Sequence, residues 1–355
     1  MILTVTLNAS IDKRYQLSGA ITDYEVQRVS DVTNTAGGKG INCTRAIAAL
    51  GEAVFPTGFV GGFNGDYLCS LLSKDGIAND FVHTTAETRS CINVLDATGA
   101  STEFLEPSEP IDSGDLDAFA EKYERLLKHP ADASHKIEAV TLNGSLPQGA
   151  PCSFYRELIR IAHDANVPVL LDTSGGALLQ ALPASPTFIK PNLDELEVLL
   201  QDAHQRACPG ANQEVPQGAC QEGSQGAYQE TVQIIKQAKD IQEHLADISA
   251  LAASVSEKYR IPYVAISLGK DGALLYHDER AYYACPPKID AVNPVGSGDT
   301  MVGAFAVGFA RGFSPDTMLI SAIAAASANC LTDKTGSFEQ ADYRRIKDRV
   351  SLTML

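Results

Sequence analysis

The motif with the most chemical content is Asn293-Pro-Val-Gly-Ser-Gly-Asp299, which precedes the apolar stretch 300–310. Glycines at the entrance of a helix let the backbone approach a ligand closely, and the free N–H groups and the helix dipole there favour an anion. Asp299 lies in the first turn, where its carboxylate could meet a substrate hydroxyl. Because Asp is also an ordinary helix-start residue, a phosphate cradle requires other substrate-binding residues in the same chain.

A second glycine-rich motif, Ala36-Gly-Gly-Lys-Gly-Ile-Asn42, opens a predicted helix. It lacks the spacing and the Ser/Thr of a phosphate-binding P-loop, and it does not match the dinucleotide-binding Gly-x-Gly-x-x-Gly. Its backbone N–H groups, the charge of Lys39 and the amide of Asn42 suit a hydroxylated, phosphorylated ligand. Taken alone, the motif is as well explained by a turn at a helix start.

Asp12 follows the first predicted strand at its carboxyl end, where open α/β sheets bind ligands. One carboxylate at this position can hold two sugar hydroxyls. The alternative, which the residue alone favours, is an ordinary turn Asp.

The segment Lys190-Pro-Asn-Leu-Asp-Glu195 follows another predicted strand. Asn192 and Glu195 are three residues apart at a helix start and face one way, so an amide and a carboxylate could organise Mg²⁺ through waters. A capping box fits the same spacing equally well. The loop Ser267-Leu-Gly-Lys-Asp-Gly-Ala273 could pass under an adenine.

Short apolar runs alternate with helical patterns along the chain. This alternation predicts crossover units and a mostly parallel sheet with helices on both faces. The predicted strands are Ile2–Leu7, Val54–Val60, Ala139–Asn143, Pro168–Asp172, Thr187–Lys190 and Tyr263–Ser267. The predicted helices are Ile41–Leu50, Leu116–Leu127, Ser153–Asp164 and Thr231–Tyr259.

Two strand-rich regions interrupt the alternation. Lys13–Leu17 and Val26–Thr33 follow the first strand, and Cys91–Asp96 with Ser101–Leu105 reads as a hairpin. Together they predict a small antiparallel sheet, from about 12–35 and 89–107, that stands off the core as a lid.

An imperfect octapeptide repeat with the unit Gly-Ala-x-Gln-Glu runs from about 201 to 232. Its units have too little apolar content to stack a core of their own, so we interpret it as a low-complexity insertion. The chain is therefore predicted to be a single domain, 1–355, with a lid and an insertion.

The composition excludes some partners. With 28 Lys+Arg against 44 Asp+Glu, the formal net charge is −16, whereas nucleic acids and anionic membranes attract basic surfaces. No apolar run reaches the roughly 18 residues of a membrane span. The N-terminus does not read as a signal peptide, and the eight cysteines include no Cys-x-x-Cys pair, so we predict a cytoplasmic protein.

Together, these motifs resemble those of the ribokinase-like, PfkB-type sugar kinases. The matching segments occur in the family's order over nearly the whole chain: Thr6-Leu-Asn8 with Asp12, Gly37-Gly-Lys-Gly-Ile-Asn42, Asn143-Gly-Ser-Leu-Pro147, Lys190-Pro-Asn-x-x-Glu195 and Gly296-Ser-Gly-Asp299. The resemblance is strongest to the branch of tagatose-6-phosphate kinases and 1-phosphofructokinases. It implies a three-layer sandwich with a small β-sheet lid.

The resemblance also implies a role for each matching residue. Asp299 would be the catalytic base, with Gly296, Ser297 and Gly298 as the anion hole. The sugar would be held by Asp12, Gly37, Gly38, Lys39 and Asn42, and its phosphate by Arg89 and Ser145. ATP would be bound by Lys190, Asn192, Ser267, Gly269 and Gly272, and Mg²⁺ by Asn192 and Glu195.

The activity implied is ATP-dependent phosphorylation of a ketohexose phosphate, with tagatose 6-phosphate as the leading substrate. Fructose 1-phosphate and fructose 6-phosphate are the alternatives, and a sugar-phosphate sensor without turnover is a non-enzymatic one. The resemblance further implies a homodimer formed through the lid, in which Arg28 would reach the neighbouring subunit's substrate.

Overall fold

The fold was analysed in a computed structural model, which describes residues 1–129, 136–207 and 223–355. Within these ranges, a large sheet of ten strands forms the centre of the molecule, in the order β14-β13-β12-β11-β10-β9-β8-β1-β4-β5. The first seven of its strands along the chain are β1 (Ile2–Thr6), β4 (Val54–Gly61), β5 (Val82–Thr84), β8 (Ala139–Asn143), β9 (Val169–Asp172), β10 (Phe188–Ile189) and β11 (Tyr263–Ser267). These seven are mutually parallel, as predicted.

An antiparallel extension completes this sheet at one edge. It consists of β12 (Ala273–His277), β13 (Arg280–Cys285) and β14 (Ser351–Met354). These three strands were not predicted from the sequence, because they do not belong to the alternation of strands and helices.

Helices cover both faces of the sheet. One face carries α3 (Ser113–Lys128), α4 (Phe154–Asp164), α5 (Gly175–Ala181), α6 (Leu193–Ala207), α7 (Gly223–Gln237) and α8 (Leu245–Tyr259). The other carries α1 (Lys39–Ala49), α9 (Ser297–Ala310), α10 (Pro315–Asn329) and α11 (Gln340–Lys347). The predicted three-layer α/β sandwich is confirmed. In the described ranges no helix has the length and apolarity needed to cross a membrane.

The central strand β1 shows why two separate cores form. All five of its residues are buried, because helices cover both of its faces. Leu3 and Val5 belong to the core under α3 and α4, whereas Ile2 belongs to the core under α9 and α10. Alternate residues of a strand point to opposite faces, so the register of β1 assigns every other residue to the α1 and α9 side.

The lid is a four-stranded sheet in the order β3-β2-β6-β7, built from β2 (Ser10–Leu17), β3 (Val29–Gly37), β6 (Arg89–Leu95) and β7 (Ser101–Leu105). The predicted hairpin is present as the antiparallel pair of β6 and β7. The expectation of a purely antiparallel sheet is wrong, because β2 and β6 pair in parallel. They do so because β2 follows β1 and β6 follows β5, two parallel strands whose chains leave the large sheet in the same direction.

The helix predicted over 231–259 is also corrected. Helix α7 ends at Gln237, a short 3₁₀ turn spans Ile241–His244, and α8 begins at Leu245. The Asp240 carboxylate accepts a hydrogen bond from the N–H of Gln242 at 2.9 Å, so it caps a new helical start. The predicted insertion, 201–232, overlaps the end of α6 and the start of α7. Its central part, 208–222, lies outside the described residues.

Another small helix, α2 (Gly62–Lys74), packs with the base of the lid. Its Leu68 and Leu72 share a buried cluster with Ile11 of β2 and Ile41 of α1. This cluster joins the lid to the α1 side of the large sheet.

The hydroxyl of Tyr155 stabilises the carboxyl end of β8. It donates to the carbonyls of Asn143 at 3.2 Å and Gly144 at 3.0 Å, inside the core. Because Tyr155→Phe removes this donor from the buried Asn143 carbonyl and the half-buried Gly144 carbonyl, we expect the free energy of unfolding to fall by about 1–2 kcal/mol in urea denaturation.

Tyr123→Phe is the matched control. Tyr123 is equally buried, and its hydroxyl has no hydrogen-bond partner among the described residues. We expect that change to alter the stability by less than about 0.5 kcal/mol. Equal losses in the two variants would contradict a role for the Tyr155 hydrogen bonds.

Candidate active site

Polar side chains form a row at the carboxyl ends of adjacent strands. Thr6 of β1 is paired in register with Asn143 of β8, which is paired with Asp172 of β9, and Lys190 directly follows β10. The strand order reverses between β1 and β8, and open α/β sheets bind ligands at such a switch point. The row is buried, and oxygens of Thr6, Asn143 and Asp172 have no hydrogen-bond partner in the described ranges.

The start of α1 lies against Asp12 of the lid. A Cβ at Gly37 would fall 2.0 Å from a carboxylate oxygen of Asp12, so only glycine leaves room for this side chain. Gly38 caps the helix, and the N–H groups of Ile41 and Asn42 both donate to its carbonyl at 3.0 Å. The predicted sugar-binding residues of these two segments are therefore neighbours.

Asp12 is a half-buried carboxylate on the inner face of the lid. Burial raises its pKa, while a hydrogen bond from the Ser10 hydroxyl at 2.7 Å and the charges of Arg45 and Arg89 act in the opposite direction. The hydrogen bond from Ser10 orients the carboxylate.

Asp299 lies in the first turn of α9, beside the start of α1. The amide Nδ2 of Asn42 donates to its Oδ2 at 2.9 Å. Burial, together with the charge of Asp172, raises the pKa of Asp299 to about 6, although Lys39, the Asn42 hydrogen bond and Lys190 lower it. A carboxylate with this pKa accepts a proton readily near neutral pH.

The N-terminus of α9 offers the predicted anion-binding amides. Gly296 is the N-cap, and the N–H of Ser297 is already bonded to the Pro294 carbonyl at 3.2 Å. A Cβ at Gly298 would lie 3.5 Å from Nζ of Lys190, so a lysine adjoins the helix entrance. The arrangement combines a helix N-terminus with a cation, which favours a phosphate.

The predicted phosphate-binding residues lie on the lid side of the switch point. Arg89 begins β6, where it pairs with Ser10, and its Nη1 donates to the Glu106 carbonyl at 3.2 Å. Its Nε is buried without a hydrogen-bond partner among the described residues. The hydroxyl of Ser145 accepts a hydrogen bond from the amide of Asn8 at 3.0 Å.

The predicted nucleotide-binding residues lie at the ends of β10 and β11, on the other side of the switch point from the lid. A β-bridge joins Asn192 to Ser267, the last residue of β11. Gly269 and Gly272 follow in the same loop, in which the N–H of Leu268 donates to the Gly272 carbonyl at 2.9 Å. The structure thus places these residues beside one another, across Lys190 from the start of α9.

Asn192 and Glu195 form the capping box that their spacing allowed. Each side chain accepts a hydrogen bond from the other's backbone N–H, at 2.8 and 3.0 Å. The hydrogen bond from the N–H of Asn192 goes to Oε2 of Glu195, and carboxylate and water oxygens are the ligands Mg²⁺ prefers. The capping box is therefore compatible with Mg²⁺ bound through waters. No group of three or more His, Cys, Asp or Glu side chains in the described ranges has the arrangement of a metal site.

The sequence analysis missed Asp172 and did not single out Asn143 or Thr6 as functional side chains. Asp172 is 3% exposed and lies between two lysines, with Nζ of Lys39 at 3.6 Å and Nζ of Lys190 at 3.5 Å. The only signal in the sequence is that each of these polar residues ends an apolar strand.

The class of the protein follows from this fold and from a family comparison. The profile of the pfkB family carbohydrate kinases matches residues 5–341. The chain belongs to this family, and it is a phosphotransferase that acts on a sugar hydroxyl with ATP as donor.

Solved structures of sugar kinases are similar to this chain over nearly its whole length. A phosphofructokinase described as putative, from Staphylococcus aureus, is 26% identical, with a TM-score of 0.75 and coverage of 100% of this chain and 99% of that one. Phosphofructokinase-2 from Escherichia coli, in complex with substrates and products, is 26% identical, with a TM-score of 0.78 and 98% of both chains covered. A possible 1-phosphofructokinase from Thermotoga maritima shares the fold at 21% identity and a TM-score of 0.72, over 100% of this chain and 99% of that one. The predicted ribokinase-like fold is confirmed.

Proposed function

We propose that this kinase transfers the γ-phosphoryl group of ATP to the free primary hydroxyl of a ketohexose monophosphate. The observation that supports this proposal most is the buried Asp299 carboxylate, which Asn42 holds at the entrance of α9 with a pKa of about 6. A primary alcohol is a poor nucleophile until its proton leaves, and a buried carboxylate with this pKa is a suitable acceptor.

In the proposed step, the hydroxyl proton passes to the Asp299 carboxylate while the hydroxyl oxygen bonds to the γ-phosphorus. The bond between the γ-phosphorus and the bridging oxygen breaks, and ADP leaves with that oxygen. The amides at the start of α9 stabilise the charge on the transferred group, and Lys190 lies next to them.

The two ends of the acceptor would be held from the lid side. Asp12 and the Gly37–Asn42 segment suit the sugar hydroxyls, whereas Arg89 and Ser145 suit the phosphate that the sugar already carries. The buried, unpartnered Nε of Arg89 supports this assignment, because a phosphate oxygen would satisfy it.

ATP would lie along Lys190, Asn192 and the loop from Ser267 to Gly272. Asn192 and Glu195 would hold Mg²⁺ through waters, and the ion would neutralise charge on the phosphates when bound. The residues of the protein itself supply the base and the orientation of both substrates.

The identity of the sugar is the finer part of the proposal. The sequence motifs favour tagatose 6-phosphate as acceptor, giving tagatose 1,6-bisphosphate. The relatives described as phosphofructokinases, one of them in complex with fructose 6-phosphate at 25% identity, favour a fructose phosphate as second candidate. A ketohexofuranose carries a CH₂O arm on each side of its ring, so the same cationic groups can serve either.

A coupled assay of ADP release tests this function. It compares kcat/KM for tagatose 6-phosphate, fructose 6-phosphate and fructose 1-phosphate, each with Mg-ATP. ADP release that depends on one of these sugars is expected. Binding of a sugar phosphate without ADP release would instead favour a sensor on the same scaffold.

Asp299→Asn should separate catalysis from binding. The substitution keeps the shape but removes the base, so we expect kcat to fall about 10²–10⁴-fold. Asp12→Asn makes the same change in the carboxylate proposed to hold the sugar, and it should act mainly by raising KM for the sugar. Near-normal turnover of Asp299→Asn would exclude Asp299 as the base.

The assignment of Asp299 as the base also predicts how kcat/KM of the wild-type enzyme depends on pH. Because Asp299 must be deprotonated to accept a proton and its pKa is about 6, kcat/KM should be constant above that pH and fall about tenfold per unit below it. A profile that stays flat to pH 5 would contradict the assignment.

Arg89→Lys tests the phosphate clamp. The planar guanidinium can bind a phosphate through two hydrogen bonds, whereas an ammonium is a single point of charge. We expect KM for the sugar phosphate to rise about 10- to 100-fold, as for the loss of a charged hydrogen bond, with KM for ATP unchanged. Steady-state kinetics with each substrate varied in turn measures both. An unchanged KM for the sugar phosphate would place the clamp elsewhere.

The outer face of the lid supports a homodimer. By register, Tyr15 of β2 lies beside Val32 and Val94, and Ile92 lies beside Phe104, all on the face away from Asp12. Val32 and Phe104 are 48% and 57% exposed in the single chain. A second copy of the chain would cover this apolar face, and phosphofructokinase-2 from E. coli has been described in a tetrameric form. Arg28 is exposed next to β3, where the predicted reach into a neighbouring subunit starts.

A double substitution on this face tests the dimer. Val32→Asp with Phe104→Asp buries two charges in the proposed interface, so we expect analytical ultracentrifugation to show a dimer for the wild type and a monomer for the variant. Phe63→Asp is the control, because Phe63 is 92% exposed and belongs to α2 rather than to a lid strand. A monomeric wild type, or a variant that remains dimeric, would exclude this interface.

A cytoplasmic location remains an expectation. It agrees with the six cysteines of the described ranges, which are all free thiols.

A further inference from the structure

Asp172 is a buried carboxylate to which the proposed mechanism gives no role. It ends β9 in the polar row of the large sheet, on the face that carries α1 and α9. Its Oδ2 has no hydrogen-bond partner among the described residues. A buried carboxylate that lacks hydrogen bonds needs opposite charges close by.

Two lysines from different parts of the site supply those charges. Nζ of Lys39, at the start of α1, is 3.6 Å from Oδ2, and Nζ of Lys190, after β10, is 3.5 Å from Oδ1. Lys190 is also buried, whereas the side chain of Lys39 is 45% exposed. One carboxylate therefore bridges the segment assigned to the sugar and the segment assigned to the nucleotide.

We propose that Asp172 is a positioning residue, which holds Lys39 and Lys190 on the two sides of the catalytic base Asp299. The inference rests on the proposed function, since it assigns the two lysines to the two substrates. Without the carboxylate, two ammonium groups in one buried site would repel each other and turn toward the remaining carboxylate, that of Asp299. Both substrate-binding segments would then lose their common anchor.

The alternative is that Asp172 only stabilises the fold. Buried ion pairs contribute little net stability, although removing one partner is costly. A loss of stability in a variant therefore does not distinguish the two roles. The ionisation of Asp299 and the KM values of the two substrates together do, because both depend on where the two ammonium groups lie.

The groups that face Asp299 come from three elements. Lys39 and Asn42 belong to α1, Asp172 belongs to β9, and Lys190 follows β10. Asp172 opposes the ionisation of Asp299, whereas the lysines and the amide favour it. Asp172→Asn removes the opposing charge and leaves both lysines without their counter-ion, so both effects lower the pKa of Asp299.

The experiment measures this pKa without turnover. Protein labelled with ¹³C at the aspartate carboxyl carbon is titrated by NMR, and the signal of Asp299 is identified by its absence in Asp299→Asn. We expect the midpoint to fall by about one pH unit or more in Asp172→Asn. A midpoint equal to that of the wild type would overturn the proposal.

Asp80→Asn is the matched control. Asp80 pairs with Lys122, and its N–H donates to the Pro56 carbonyl near the start of β4, away from the carboxyl ends of the strands. This variant loses an ion pair but should keep the Asp299 midpoint. A shift equal to that in Asp172→Asn would show a general effect of lost stability and would also overturn the proposal.

Kinetics give the second measurement. In Asp172→Asn we expect kcat at pH 8 to fall about tenfold or more, and KM to rise for both the sugar phosphate and ATP, as for lost positioning of charged groups. If Asp172→Asn does not fold, Asp172→Glu keeps the charge but moves it, so both KM values should still rise. Unchanged KM values for both substrates would contradict a positioning role.

The failure of the proposed function would look different. In that case the wild type would release no ADP with any ketohexose phosphate, while the NMR titration would still report on Asp172. An active wild type with an unshifted Asp299 midpoint in Asp172→Asn would overturn the inference alone.

Discussion

The hydrogen bond between Asn42 and Asp299 joins the entrances of two helices, and the rest of the site is arranged around it. Helices α1 and α9 approach closely at Gly303, where a Cβ would lie only 3.0 Å from the Cys43 carbonyl oxygen. Both helices start above the switch point between β1 and β8. The glycines proposed to bind the sugar therefore lie on one side of the bond, and the amides proposed to bind the transferred phosphoryl group lie on the other.

This arrangement also explains how an acidic protein can bind anions. A net charge of −16 repels polyanions, but small phosphates respond to local groups. Lys39, Lys190 and Arg89 lie within the site, and two helix N-termini add their partial charge. Acidic groups elsewhere on the surface are screened by salt beyond roughly 8–10 Å. The negative overall charge therefore does not exclude local sites for small phosphates.

Much of the fold could be predicted from the sequence, because buried parallel strands appear as short apolar runs between helical patterns. The glycine motifs likewise indicated both helix entrances, since few other roles require glycines beside Lys39 and Asp299. The parallel pairing of β2 and β6 could not be predicted, because it depends on where each chain leaves the large sheet. The break near Asp240 depends on a capping interaction that competes with a continuous helical pattern.

Asp172 shows the limit of reading a site from its motifs. A strand-end aspartate has no distinctive spacing, and its two lysines come from distant segments that only the sheet brings together. Asn192 and Glu195 show a different limit, since the capping box they form is compatible with a metal role as well. The spacing of two residues in the sequence therefore cannot show whether they cap a helix, bind a metal or do both.

In the proposed reaction, the Asp299 carboxylate held by Asn42 accepts the proton of a sugar hydroxyl as that hydroxyl receives the γ-phosphoryl group. The most direct test is ³¹P NMR of a reaction of the wild-type protein with Mg-ATP and a ketohexose monophosphate. The account predicts that ADP forms together with a second phosphate ester on the sugar, in equal amounts. ADP accompanied only by inorganic phosphate, or no ADP with any ketohexose phosphate, would contradict it.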